Sequence, residues 1–412
     1  MSWKKVRLKD CCVKIGSGAT PKGGATVYID FGTALIRSQN IYNLSFDYRG
    51  LTYITEDAAK KLNGVTVHEK DILLNITGDS VARVCMVPIG VLPARVNQHV
   101  AIIRTNDKLL PEYLLYYLAS PYMQAYMLNL AVGKGASRNA LTKGMIEDFP
   151  LLLPSLEEQK TIIKYLSAYD DLIENNQKQI KLLEEAAQRL YKEWFVDFRF
   201  PGHETTPIVD GVPQRWRKSV FSDVFTFVRG RSYTSKELSE DDGVLMVNLK
   251  NIRAYGGYKR NSEKRFTGAY KEEQLLVGGD VVMGVTDMTQ ERRLVGHVAL
   301  IPSFNEKVTF SMDLIKLIPL SVSKNFLYCA LQYGGHSKQI APLANGVNVL
   351  HLKPEAMMKM EMLVPDKVTM RTFDVQFEAI RLKIESLEKQ CDLAAQARDR
   401  LLPKLMSGEL EG

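Results

Sequence analysis

Two sets of polar and basic side chains lie in loops bounded by glycine, where they can reach outward without being packed. The first set is Lys22, Arg37, Ser38, Gln39, Asn40, Thr77, Arg83, Lys134, Ser137, Arg138 and Asn139. The second is Arg229, Arg231, Asn248, Lys250, Asn251, Thr286, Gln290, Arg292, Arg293, Asn345 and Asn348. Their chemistry suits DNA. Arg and Lys match the O6 and N7 acceptors of guanine, and Asn and Gln match the N6 donor and N7 acceptor of adenine. Each residue also has a plainer reading: Ser38 and Asn40 suit turns or strand ends, and an isolated Arg is usually a solvated surface charge.

The sequence holds no constellation for catalysis. It has no G-x-x-x-x-G-K-[ST], and Gly16-Ser17-Gly18 and Gly133-Lys134-Gly135 lack the strand, spacing and downstream acid of a nucleotide cradle. No Asn or Asp precedes Pro-Pro-aromatic, the signature with which adenine methyltransferases hold the target amine. His68, His99, His203, His297, His336 and His351 are scattered, with no H-E-x-x-H and no G-x-S-x-G elbow. Cys11, Cys12, Cys85, Cys329 and Cys391 form no C-x-x-C pair and have no His at zinc spacing, so buried thiols are expected, with neither disulfides nor a metal site. The expectation is a non-enzyme that binds something twice, with no cofactor of its own.

Elements must hold these loops in place. The 412 residues exceed one core, and 45% apolar with 25% charged residues is ordinary globular composition. No apolar run nears the roughly 20 residues of a membrane span. The start, MSWKKVRLKD, has no apolar stretch behind its basic residues, so a cytoplasmic protein is expected. The net charge of +7 is unevenly spread: residues 1–154 carry +6 and 200–365 carry +4, whereas 155–199 carry −2 and 366–412 carry −1. Basic charge sits where a polyanion would be met.

The chain reads as a repeat of about 211 residues. Trp3-Lys4-Lys5 with Leu8 and Asp10 answers Trp216-Arg217-Lys218 with Phe221 and Asp223. Residues 36–41 answer 247–252, Asp71 to Asp79 answers Asp280 to Asp287, and Leu151-Leu152-Leu153-Pro154 answers Met362-Leu363-Val364-Pro365. Each copy ends in a tail of about 40 residues that reads as helix, the first opened by a capping box of Ser155 and Glu158. Its seam steps by four and three through Ile162, Leu166, Tyr169, Ile173, Asn176, Ile180, Leu183, Ala187, Leu190 and Trp194. The second tail repeats those steps without a gap at Phe373, Phe377, Ile380, Ile384, Leu387, Cys391, Ala394, Arg398, Leu401 and Leu405. These are heptad seams.

An apolar stripe must be buried, and each helix is the other's nearest partner, so an intramolecular coiled coil is expected. Antiparallel pairing is preferred; a parallel one needs residues 200–365 to span the helix length. The expected fold class is therefore α+β: two globular mixed α/β domains separated by two long helices in an antiparallel intramolecular coiled coil, duplicated about a pseudo-twofold. The boundaries are 1–154, 155–199, 200–365 and 366–412. Asn176 is either a register-fixing seam residue or a solvated one, and Arg398, near its helix end, is read as solvated.

Leu-Leu-Leu-Pro-Ser-Leu-Glu-Glu-Gln-Lys (151–160) leads into the first helix and Trp-Phe-Val-Asp-Phe-Arg-Phe-Pro-Gly (194–202) leaves it. With the opening Trp3 to Leu8 followed by Gly16-Ser17-Gly18-Ala19-Thr20-Pro21, the chain resembles the specificity subunit of type I restriction-modification systems over essentially its whole length. The second copy departs from the pattern: Val364-Pro365-Asp366-Lys367 lacks the Glu-Gln pair, and Leu405-Met406-Ser407-Gly408-Glu409-Leu410 replaces the aromatic exit.

The resemblance implies two target-recognition domains, 1–154 and 200–365, each reading half of a bipartite double-stranded DNA target, and two conserved helices that set the spacer. It implies two methyltransferase subunits docked on the chain and, in the full complex, ATP-dependent restriction subunits, with S-adenosylmethionine, ATP and Mg bound by those partners. A helix of about 40 residues is roughly 60 Å long, and at about 3.4 Å per base pair two readers on it would touch sites on the order of one to two turns apart. Leu172, Leu182, Trp194, Phe195 and Phe198 are candidates for partner docking or for packing on the chain's own domains. Two other readings stay open: a duplicated protein-binding scaffold, whose binding would respond weakly to salt, and a stand-alone nuclease or methyltransferase, which the missing motifs disfavour.

Overall fold

The structure is a computed structural model that describes residues 3–132 and 139–408. The chain divides into two compact units, Met1–Asn175 with Gln390–Gly412, and Asn176–Lys389. The division falls inside the two long helices, so each unit holds one globular part and half of each helix.

The first unit opens with strands β1 (Lys4–Arg7), β2 (Cys12–Ser17), β3 (Tyr28–Ile29), β4 (Thr33–Ile36), β5 (Ile41–Tyr42), β6 (Ser45–Phe46) and β7 (Thr52–Ile54). After helix α1 (Glu56–Lys61) come β8 (Thr66–Val67), β9 (Ile72–Asn75), β10 (Val84–Met86), β11 (Ala94–Val96) and β12 (Val100–Thr105). Helices α2 (Pro111–Ala119), α3 (Pro121–Ala131) and α4 (Lys143–Glu147) precede β13 (Pro150–Leu153), which pairs antiparallel with β1. One sheet has the order β10-β9-β12-β2 and the other β3-β7-β4-β11-β8.

Strand β9 explains the layering. Ile72-Leu73-Leu74 is a continuous apolar run because both faces are covered. Ile72 and Leu74 join Ala101 and Ile103 in a core shared with Tyr113, Leu114 and Met123 of the helices. Leu73, Val100 and Ile102 face the other way, onto Ala34, Ile36 and Val96 of the second sheet. The four-stranded sheet is thus the middle of three layers.

Helix α5 (Leu156–Phe195) enters the second unit, where β14 (Ile208–Val209), β15 (Val212–Pro213), β16 (Arg217–Val220), α6 (Phe221–Val224) and β17 (Phe225–Arg229) follow. Next come β18 (Leu238–Ser239), β19 (Val244–Val247), β20 (Lys264–Phe266), β21 (Val281–Gly284), β22 (Thr286–Asp287) and β23 (Val298–Leu300). After β24 (Val308–Phe310) and β25 (Leu314–Pro319) lie α7 (Lys324–Tyr333), α8 (His336–Ile340), β26 (Leu350–His351) and β27 (Glu361–Val364), then the long helix α9 (Lys367–Ser407). The sheet β17-β25-β21-β23 is again the middle layer: Val281 and Met283 face a core with Phe326 and Leu327 of α7, and Val282 faces Val247 and Phe310 of the other sheet.

Both long helices start on side-chain caps. The Ser155 backbone N–H donates to Glu158 (2.8 Å), and the Glu158 N–H returns to Ser155 Oγ (3.3 Å). At α9 the cap is Asp366, whose Oδ1 accepts from the backbone N–H of Val368 (2.9 Å) and Thr369 (3.2 Å). In the first unit, Ile162 and Leu166 of α5 share a core with Leu402, Leu405 and Met406 of α9. In the second, Trp194 and Phe195 of α5 pack on Phe373 of α9 with ring centroids 5.8 and 4.9 Å apart.

Two expectations are corrected here. Arg398 is not solvated: its side chain is 14% exposed and pairs with Asp170 of α5 at 2.5 Å. Trp194 and Phe195 are buried in the second unit's core and offer no free surface, and Phe198, partly buried, meets Trp216 at 5.5 Å. The aromatic exit is core because a ring cluster can anchor the helix end where the next domain begins. Leu172 and Leu182 are exposed, Asn176 is buried, and no helix among the described residues is long and apolar enough to cross a membrane.

Candidate nucleic-acid interface

In the first unit, the turn between β9 and β10 is held by its own backbone. The Asn75 N–H donates to the Arg83 carbonyl (2.8 Å) and the Ala82 N–H to the Asn75 carbonyl (2.9 Å), with Gly78 and Ala82 in left-handed conformations (φ 74 and 73). Two other segments are tied to this turn. Asn75 Nδ2 donates to the Ser38 carbonyl (2.9 Å), and the Gly78 N–H donates to the Asn139 carbonyl (3.0 Å). Ser38, Gln39, Thr77, Arg83 and Asn139 therefore line one open cleft of about 640 Å³ with Tyr42, Asp79 and His99.

The cleft is polar but ordered. The Arg83 guanidinium lies over the Tyr42 ring, 4.6 Å from its centroid. His99 Nδ1 is 2.6 Å from Thr77 Oγ1, and its Nε2 is 3.0 Å from Gln98 Nε2. Lys22 is exposed and outside this lining. Arg37 donates from Nη2 to the Gly50 carbonyl (2.8 Å), which ties it to its own loop. Lys134, Ser137 and Arg138 lie outside the described residues.

In the second unit, Thr286 of β22 pairs with His351 of β26, and the loop after β22 is organised by Asp287. That buried carboxylate accepts from the Thr289 N–H and hydroxyl (both 2.8 Å) and from the backbone N–H of Leu294 (2.6 Å) and Val295 (3.2 Å). Burial pushes the Asp287 carboxyl up, but these donors more than offset it and hold it below the ordinary carboxylate value. Gln290 donates from Nε2 to the Val347 carbonyl (2.7 Å). Gln290, Arg292 and Arg293 are thus brought beside the segment carrying Asn345 and Asn348. Arg293 pairs with Glu291, Arg229 with Glu355 at 2.8 Å, and Arg231 and Lys250 are exposed.

Two comparisons bear on these loops. Residues 1–185 match the family model described as the type I restriction modification DNA specificity domain. The chain is also 26% identical over 415 residues to the type I restriction enzyme MjaIX specificity subunit of Methanocaldococcus jannaschii, covering 99% of this chain and 93% of that one. This chain is similar to the type I restriction-modification specificity subunits. The HindI specificity subunit of Haemophilus influenzae is 21% identical over 73% of this chain and 78% of its own. In fold, the chain is similar to the crystal structure of the type I system S subunit from M. genitalium, with a TM-score of 0.59, 15% identity and coverage of 98% and 96%.

Not every polar loop residue of the chain faces outward. Asn40 and Asn251 are fully buried. Asn40 Oδ1 accepts from the Arg37 N–H (3.0 Å) and its Nδ2 donates to the Asp47 carbonyl (2.9 Å). Asn251 does the same with the Asn248 N–H (3.0 Å) and the Lys259 carbonyl (2.9 Å). Asn248 spends its amide on the Lys250 N–H and the Ser262 carbonyl, and Thr286 is buried in its strand. Sequence reasoning missed Tyr42, His99 and Asp287. Tyr42, three residues beyond Gln39, carried a legible signal of an aromatic among polar residues. His99 and Asp287 carried none, because only the fold brings their partners to them.

Proposed function

We propose that this chain is a type I specificity subunit, a non-catalytic reader of a bipartite double-stranded DNA target. Each globular part, residues 1–154 and 200–365, reads one half, and the two parts are copies of one ancestral unit related by a pseudo-twofold. Helices α5 and α9 pair antiparallel as an intramolecular coiled coil, set the spacer and dock two methyltransferase subunits. Restriction subunits join in the full complex, and S-adenosylmethionine, ATP and Mg are bound by those partners.

The observation that carries this reading is the cleft of the first unit. Three distant segments, around Ser38, Thr77–Arg83 and Asn139, converge there with the donor and acceptor types that fit base edges. The helices support the rest: the start of α5 meets the end of α9 in one unit, and the end of α5 meets the start of α9 in the other. Neither seam has an exposed residue.

The test is a genome-wide adenine-methylation map of cells carrying the cognate methyltransferase subunit, with and without this chain. Loss of a two-part motif methylated on opposite strands when the chain is deleted is the expected result. An unchanged map, together with DNA binding that barely responds to salt, would replace this reading with that of a protein-binding scaffold.

A further inference from the structure

The cleft of the first unit contains one arginine in an unusual state. Arg83 is half-buried, and among the described residues no ion pair or side-chain hydrogen bond engages its guanidinium. A free surface arginine samples many rotamers, but this one lies on the Tyr42 ring at 4.6 Å. Its backbone is equally fixed: the carbonyl accepts from Asn75 (2.8 Å) and the N–H donates to the Ser80 carbonyl (3.2 Å). The platform is fixed too. Tyr42 belongs to β5, whose hairpin with β6 is held against β10 by the Leu44 N–H on the Val84 carbonyl (2.9 Å) and the Val84 N–H on Asn43 Oδ1 (3.1 Å).

A flat, pre-oriented guanidinium fork beside an open polar cleft is the geometry that matches two acceptors in one plane. Guanine offers such a pair, O6 and N7, in the major groove. A phosphate role fits less well. Asp79 lines the same cleft, and its carboxylate would repel a phosphate, whereas it could accept from the N4 amine of the cytosine paired with that guanine.

We infer that Arg83 reads a guanine in the half-site of the first unit, with Tyr42 as the positioning residue that holds the fork flat. This rests on the DNA-reading function proposed above. It assigns one base and one groove to one side chain.

The experiment uses the assembled methyltransferase complex and duplexes of its mapped target in which each guanine of one half-site in turn becomes 7-deazaguanine, which lacks the N7 acceptor. The parent complex is expected to lose about tenfold to a hundredfold in affinity at one position. Arg83→Ala should show a similar loss on the natural duplex and no further loss on the deaza duplex, the signature of a single shared contact. Tyr42→Phe should behave as the parent, and Tyr42→Leu should lower affinity while leaving the same guanine sensitive. Arg83→Lys should keep the salt dependence of binding but weaken the guanine preference, because an ammonium can reach O6 and N7 without the flat fork that Tyr42 orients. The inference is overturned if no guanine is sensitive in the parent, if Arg83→Ala keeps the same sensitivity, or if Arg83→Ala weakens all sequences alike and lowers the salt slope by about one, as loss of a phosphate contact would. A parent complex that binds and methylates no DNA overturns the proposed function itself.

Discussion

Asp287 is a buried carboxylate whose four accepted hydrogen bonds come from one loop, residues 289–295. Removing it strands three backbone N–H groups, and each unsatisfied buried donor costs about 1–3 kcal/mol. Asp287→Ala should therefore lower the urea midpoint at neutral pH and blur the half-site of the second unit while sparing the first. The pH dependence has a definite sign. Because the folded carboxyl is held below its ordinary value, its contribution is present above that ordinary value and is lost as the pH falls through the folded one, so parent and variant should converge in acid. Asn40 and Asn251 show why such roles were only half legible. An asparagine that locks a loop and one that reads a base share the same loop composition, and only the fold turns these two inward.

At the scale of elements, Asp170 of α5 holds Arg398 of α9 and also accepts from the Tyr116 hydroxyl (2.5 Å). Asp170→Ala leaves a half-buried guanidinium without its interhelical partner and should destabilise by about 1–3 kcal/mol. Arg398→Ala in that background should add less than it costs alone, a coupling that chemical denaturation of the four proteins would measure. Additive costs would show that the pair is incidental. The helices were the most legible part of the sequence because a seven-residue repeat over about 40 residues leaves few alternatives. The cap at Asp366 was visible as an Asp before the second helix but lacked the Ser and Glu pattern of the first. The strands were less legible. Runs as short as Ile41–Tyr42 owe their conformation to their neighbours more than to their own residues.

At the scale of the molecule, the proposed ruler makes a geometric demand. Inserting seven residues into each helix lengthens a helical rod by roughly 10 Å, which corresponds to about three base pairs. The methylation motif of such a variant should keep both half-sites and widen its spacer by about that amount, and an unchanged spacer would sink the ruler. The charge pattern belongs to this scale too. The two globular segments carry the positive excess and the helices the negative one, a division the sequence displays without any knowledge of the fold.

The two units also differ in how the chain supplies them. The second is one unbroken stretch, whereas the first draws on Gln390–Gly412, and Leu402, Leu405 and Met406 complete the core that Ile162 and Leu166 begin. On a ribosome making about 5–20 residues per second, the first unit waits on the order of ten to forty seconds between its two parts. During that interval the intervening unit can finish folding while the apolar stripe of its elder sister stays uncovered. Order of synthesis and order of completion are thus reversed, and a stop codon near position 390 would cripple the unit that was translated first.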